Sequence, residues 1–162
     1  MISESFPKYS VHFYCDVEDR VKLENKIKQI NMQDKIIIHG YSNDIYQEVI
    51  SASLFVSSSD YEGISNSMLE AMALGIPSIC TDCPAGGACD IIIPGANGMV
   101  VPVGDRNSLS MMMRKVLGNK ELARTISAGA YDLRHSLCIS EIAKLWIDAI
   151  DKFSTNRDNK GM

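Results

Sequence analysis

The chain has 162 residues, 46% of them apolar, and a formal net charge of −4 at neutral pH. That is enough for one domain with its own core, and an acidic balance of mixed charges argues against a nucleic-acid binder. No apolar run is long enough to span a bilayer and no secretory leader opens the chain. Five irregularly spaced cysteines fit a reducing compartment, the cytoplasm.

The first six residues read as the end of a helix. A strand is expected over 10–15, then a polar turn with no glycine, so the backbone there is poorly suited to approach a ligand closely. Leu23, Ile27 and Ile30 form a helical stripe, with lysines on a solvated face. The run Ile36-Ile37-Ile38 marks a buried strand over 35–40, which puts His39, Gly40 and Tyr41 at its carboxyl end. Open α/β sheets bind ligands at that end of their strands. Asn43 or Asp44 caps a short helix reaching Ser51.

Leu54-Phe55-Val56 is a further short buried strand. Polar residues and Gly63 follow, and a helix opens at Ser65 or Asn66, both good cap residues. It ends at Gly75, with Pro77 just beyond. A helix start is therefore set beside the carboxyl end of a strand, where free N–H groups attract anions. Two carboxylates bracket this corner, Glu62 on the loop and Glu70 on the helix. Asn66 and Glu70, four apart, share one helical face. An ionised carboxyl group offers only acceptors, so it suits the paired hydroxyls of a ribose better than a phosphate. Glu62 could grip sugar hydroxyls or steady developing positive charge. The rival reading makes both solvated glutamates near a helix start, with Glu62 favoured by the dipole.

Residues 77–81 form the next strand, and 82–90 a loop containing Gly86 and Gly87. Cys80 and Cys83 are spaced C-x-x-C, but no second pair or histidine cluster completes a metal site. After a turn at 95–98, residues 99–101 read as a short strand. Asp105 caps a helix with Leu109, Met112, Met113, Val116 and Leu117 on one face, and Asn119 caps another up to about His135. Ser140 caps a last helix whose stripe, Ile142, Leu145, Trp146, Ala149, Ile150 and Phe153, is expected to pack on the sheet. The polar stretch 155–162 is expected to fray. Strands alternating with helices predict an α/β chain with a doubly wound, Rossmann-like parallel sheet. An NAD-type reading is weak, because no G-x-G-x-x-G follows the early strand.

The run 62–77, from Glu62-Gly63-Ile64-Ser65-Asn66 through Glu70 to Gly75-Ile76-Pro77, resembles the two-glutamate signature of GT4-type retaining glycosyltransferases of GT-B architecture. Thr81-Asp82-Cys83-Pro84, Gly86-Gly87, Asn97-Gly98 and Val101-Pro102-Val103-Gly104-Asp105 are also similar to the family pattern, so the resemblance covers about residues 6–153. It implies the C-terminal, donor-binding half of a GT-B fold lacking its first strand, with residues 1–154 as a truncated domain. The implied reaction is retaining transfer from a UDP-sugar of GalNAc, Gal or GlcNAc type to a glycan or lipid-linked acceptor, in building bacterial surface polysaccharide, in the cytoplasm or at the inner face of the membrane. Glu62 is implied at the reacting sugar and Glu70 at the ribose. Gly63, Ile64, Ser65 and Asn66 are implied at the phosphates or sugar, and the His39-Gly40-Tyr41 loop near the nucleobase. No metal or cofactor is implied. The family's glutamate at Asp90 is replaced by a shorter acid. The missing acceptor half would leave this chain inactive alone. In the family the missing strand lies between those matching 11–14 and 54–57. The gap is expected to close by direct pairing of these two, or by strand exchange in a homodimer. The alternatives are an inactive nucleotide-sugar binding module and a GT-B-fold sugar-nucleotide epimerase.

Overall fold

The computed structural model describes residues 2–14 and 17–158. Helix α1 (Ile2–Ser5) leads into β1 (Val11–Tyr14), α2 (Val17–Gln29), β2 (Ile36–His39) and α3 (Ile45–Val49). Of the expected turn over 15–20, residues 15–16 lie outside the described residues, and 17–20 form the first turn of α2 instead. The second part runs β3 (Phe55–Ser57), α4 (Asn66–Ala73), β4 (Ser78–Asp82), α5 (Gly87–Ile91) and β5 (Met99–Pro102). Helices α6 (Arg106–Gly118), α7 (Lys120–Ser136) and α8 (Ile139–Asp158) complete the chain.

Every strand pairing is parallel, in the orders β1-β2 and β3-β4-β5. Residues alternate between the two faces of a strand, and the second sheet buries both. On one face Cys80 packs with Met68 and Met72 of α4, Ile92 and Ala130. On the other, Ile79 packs with Met99, Val101, Val116 of α6 and Ile126 of α7. This is the three-layer core that the helix–strand alternation predicts. Met72, Ile79 and Ile126 are fully buried, and truncating one of them to alanine costs about 2–5 kcal/mol.

The ends of α4 are set locally. Gly75 takes φ +73, Ile76 N–H reaches Ala71 C=O at 2.9 Å, and Gly75 N–H reaches Met72 C=O at 2.9 Å. That pair of bonds is a Schellman stop, and it turns the chain straight into β4. Asp105 and Asn119 cap α6 and α7 as expected, each accepting two backbone N–H bonds.

The doubly wound parallel sheet is present in two pieces: among the described residues β1 pairs only with β2, and β3 only with β4. Other expectations need correction. Direct pairing of β1 with β3 is therefore not made. The β1–β2 unit is anchored elsewhere, with α1 on α6 through a Ser5–Arg114 hydrogen bond and Phe6 against Gly118. Tyr14 is also tied to Glu48 of α3. The loop 82–90 contains a short helix, α5, entered through Gly86 in the left-handed region at φ +74. Helix α8 begins at Ile139, before Ser140, with Ile142 N–H bonded to Cys138 C=O at 3.1 Å. It continues to Asp158, because 154–158 holds neither glycine nor proline. Its apolar stripe does not pack on the sheet: Trp146 and Phe153 are 68% and 76% exposed. The helix meets the rest of the chain mainly at α7, so its length runs past the core.

Candidate functional site

The corner between β3, β4 and α4 holds Glu62. Glu62, Gly63 and Ser65 line a hollow together with Ser57, Met68, Cys80, Thr81, Cys83 and Ala88. The hollow measures about 10 Å³, room for about one water. It is a floor against which a larger ligand can rest rather than an enclosing pocket.

The loop carrying Glu62 is held from below. Thr81 Oγ1 donates to the Ser59 carbonyl at 2.6 Å, and Cys83 Sγ donates to the same oxygen at 3.0 Å. Ser59 Oγ in turn donates to Glu62 Oε2 at 3.3 Å. A Cβ on Gly87 would overlap the Gly63 carbonyl, so the start of α5 presses directly on the loop. Only glycine permits that approach. Thr81, Cys83 and Gly87 are thus contributors to which the sequence alone assigned no role in holding Glu62. Their one legible signal was position, at the carboxyl end of a strand and in a paired-glycine loop.

Helix α4 opens without a side-chain cap. Ser65 sits at the N-cap, but its hydroxyl pairs with Ser67 Oγ at 3.0 Å instead of turning to the backbone. The first N–H groups of an α-helix have no partner within the helix, and the N-cap side chain does not take them. Ser65 is buried, Ile64 is half exposed, and Asn66 and Glu70 are exposed on one helical face. The structure gathers Glu62, Gly63 and Ser65 at the hollow and leaves Glu70 one turn along the helix, outside its lining.

His39, Gly40 and Tyr41 follow β2. His39 Nε2 lies 2.8 Å from His12 Nδ1, and Ser10 Oγ lies 2.8 Å from His12 Nε2. Tyr14 stacks on His39 with ring centroids 4.4 Å apart. One ring nitrogen of His39 is thus already engaged and one face covered. Beside this cluster Glu48 accepts from Ser42 Oγ at 2.5 Å and from the Tyr14 hydroxyl, and these bonds, Ser42 first, lower its pKa. Lost solvation first, then Glu48, raises that of Tyr14. Tyr41 is 91% exposed.

Among the described residues no three His, Cys, Asp or Glu groups converge. Burial pushes the Cys80 thiol up to about 12. Cys89 is raised by the hydrogen bond it donates to Asp82 at 3.0 Å. No described helix is long and apolar enough to cross a membrane.

A sequence family described as "Glycosyl transferases group 1" matches residues 2–133. The chain is 27% identical over 154 residues to an exopolysaccharide phosphotransferase of Streptomyces coelicolor, covering 94% of this chain and 16% of that protein. It is 26% identical over 157 residues to the lipopolysaccharide 1,6-galactosyltransferase of Escherichia coli, covering 88% of this chain and 44% of that protein. The chain therefore spans less than half the length of these relatives. The crystal structure of Anabaena Alr3699/HepE in complex with UDP matches with a TM-score of 0.82 at 18% identity, covering 93% of this chain and 43% of that one. At that identity the likeness establishes the fold.

Proposed function

The chain belongs to the glycosyl transferases group 1 family, and on that premise we propose that it is the donor-binding C-terminal half of a retaining transferase using a UDP-sugar. The observation that carries this reading is the uncapped start of α4 set beside the clamped Glu62 loop. Unpartnered N–H groups at a helix start stabilise the charge of a departing nucleoside diphosphate without a metal.

In this reading the N–H groups from Gly63 to Asn66 face the phosphates or the sugar, and Glu70 accepts from the ribose hydroxyls. Glu62 accepts from the donor sugar and favours an oxocarbenium-like transition state. His39, Gly40 and the exposed Tyr41 lie toward the nucleobase. The donor is of Gal, GalNAc or GlcNAc type, the first matching the name of the Escherichia coli relative. The acceptor is a glycan or lipid-linked glycan of a surface polysaccharide. Among the described residues Cys80, Cys83, Cys89 and Cys138 are free thiols, which fits work in the cytoplasm.

The test pairs calorimetry of UDP and the three UDP-sugars with transfer by the complete protein from labelled donor to a lipid-linked acceptor. Labelled product supports the reading. UDP binding with no transfer by the complete protein would replace it with a binding module, and an altered donor sugar without acceptor would replace it with an epimerase.

A further inference from the structure

The β1–β2 unit carries a polar chain of its own. In the parallel register His12 stands opposite Ile37, and Tyr14 opposite His39. Residues two apart on a strand share a face, so His12, Tyr14, Ile37 and His39 lie on one face of the pair. There Ser10 Oγ lies 2.8 Å from His12 Nε2, and His12 Nδ1 lies 2.8 Å from His39 Nε2. The two imidazoles are within 12° of parallel, with centroids 5.1 Å apart. Nitrogens this close are nearer than stacked faces allow, about 3.5–4.0 Å, so the rings meet edge to edge through the hydrogen bond. Tyr14 covers one face of His39, with centroids 4.4 Å apart at 10°, and its hydroxyl goes to Glu48 of α3. The plane of His39 is thus held from its edge and from its face.

A neutral imidazole carries one N–H and one bare nitrogen. The bond between His12 and His39 needs one of each, so their two tautomers are locked together. In one arrangement the Ser10 hydroxyl donates to His12 Nε2, His12 Nδ1–H donates to His39 Nε2, and the proton of His39 sits on Nδ1. In the other every bond reverses, and His39 Nδ1 is bare. Glu48 decides between them. Its carboxyl is held low by Ser42 first, then by Tyr14 and by the charge of His39, so an anion stands near this ring. An anion favours a proton on nitrogen over a bare lone pair, and Nδ1 is the nitrogen that His12 leaves free.

We propose that His12 is a positioning residue: it fixes the His39 imidazole with its proton on Nδ1, as a hydrogen-bond donor at the carboxyl end of β2. His39 is the last residue of that strand, and open α/β sheets bind ligands at that end. A donor fixed there selects an acceptor edge. Uracil, like thymine, presents the acceptor O4 where cytosine presents an amino donor, and two donors facing each other are a mismatch that discriminates. The ligand selected is a uridine nucleotide over a cytidine nucleotide. That selection rests on the function proposed above. The setting of the His39 tautomer by His12 does not.

The experiment is heteronuclear NMR of the histidine ring nitrogens in the whole chain at about pH 9, above the reference imidazole value of about 6.5. In the native chain His39 should show a protonated Nδ1 and a bare Nε2. His12→Asp should reverse this. A carboxylate offers acceptors only, and its oxygen, one bond from Cγ like the Nδ1 it replaces, draws the proton to His39 Nε2. His12→Ala should leave a mixture of both tautomers. His12 is exposed on β1, so both variants should keep the fold, which the amide spectrum checks. A native His39 protonated on Nε2, or one and the same tautomer in all three chains, would overturn the proposal. Calorimetry of UDP and CDP on the native chain and on His12→Asp reads the selection. The native chain should prefer UDP by about fivefold, the worth of about one hydrogen bond, and His12→Asp should lose that preference. An equal preference in both chains would overturn the selection. UDP bound by neither chain would defeat the transferase reading instead, with the ring-nitrogen spectra still deciding the role of His12.

Discussion

At the scale of single residues, the two glutamates separate in structure as in proposed role. Glu62 is half-buried on a clamped loop, and Glu70 is exposed on α4 beside Asn66. Glu70→Ala should weaken UDP binding by the complete protein by about 1.5–3 kcal/mol, the worth of hydrogen bonds to a charged group. Unchanged affinity by calorimetry in a folded variant would remove it from the ribose. Glu62→Gln should lower kcat far more than it weakens UDP, because its work falls on the transition state. Equal losses in both would count against that role. The thiols divide too. Cys80, pushed up to about 12 by burial, should resist alkylation at pH 8, whereas Cys138, lowered chiefly by its hydrogen bond with Ser140, should react. Peptide mapping by mass spectrometry reads this directly.

At the scale of elements, the site depends on how α5 and α4 meet. Gly87→Ala would drive a methyl group into the Gly63 carbonyl. The backbone must shift, at a cost of about 1–3 kcal/mol, and the shift falls on the Glu62 loop. The expected result is a lower melting temperature with weakened donor binding. Gly118→Ala is its control, since a Cβ there meets only Phe6 at 3.7 Å, an ordinary contact. The cap of α6 carries a pH dependence. Hydrogen bonds from Ser108 first, hydroxyl and then N–H, hold the Asp105 carboxyl below its ordinary value. A lowered folded pKa means the contribution is present above the unfolded value, about 3.9, and is lost as pH falls through the folded one. The melting-temperature advantage of the native chain over Asp105→Ala should therefore be full at neutral pH and shrink below about pH 4.

At the scale of the whole molecule, the hollow beside Glu62 holds about one water, and the larger opening lies at the other end of the strands. On the proposed reading this hollow serves the nucleotide as a floor rather than as an enclosing pocket. We expect this chain alone to bind UDP no tighter than about millimolar and to transfer no sugar. Calorimetry and a labelled-donor assay on the purified chain check both, and transfer by the chain alone would overturn the second. The exposed stripe of α8 and the exposed apolar residues of β1 agree with a chain whose apolar surface exceeds what it covers itself.

Local chemistry was legible in the sequence wherever the cause was local. The strands at Ile36 and Leu54, the glycine stop at Gly75, the caps at Asp105 and Asn119 and the alternation of strand and helix all act within a few residues, and all appear in the structure, but the expected burial of the Ile36 run does not: Ile37 is 41% exposed. The two-glutamate run carried the family by its residues alone. What escaped the sequence depends on contacts between segments far apart in the chain. Ser65 looks like a cap, yet its hydroxyl turns to Ser67. Ser59 is gripped by Thr81 and Cys83 more than twenty residues away. Gly87 matters because Gly63 lies against it. The stripe of α8 has the period of a packed helix, but period does not say whether a partner is there. The division of the sheet is the extreme case: each strand has a local signal, while whether β1 meets β3 depends on the anchors of the first unit on α3 and α6, and among the described residues the two strands do not pair.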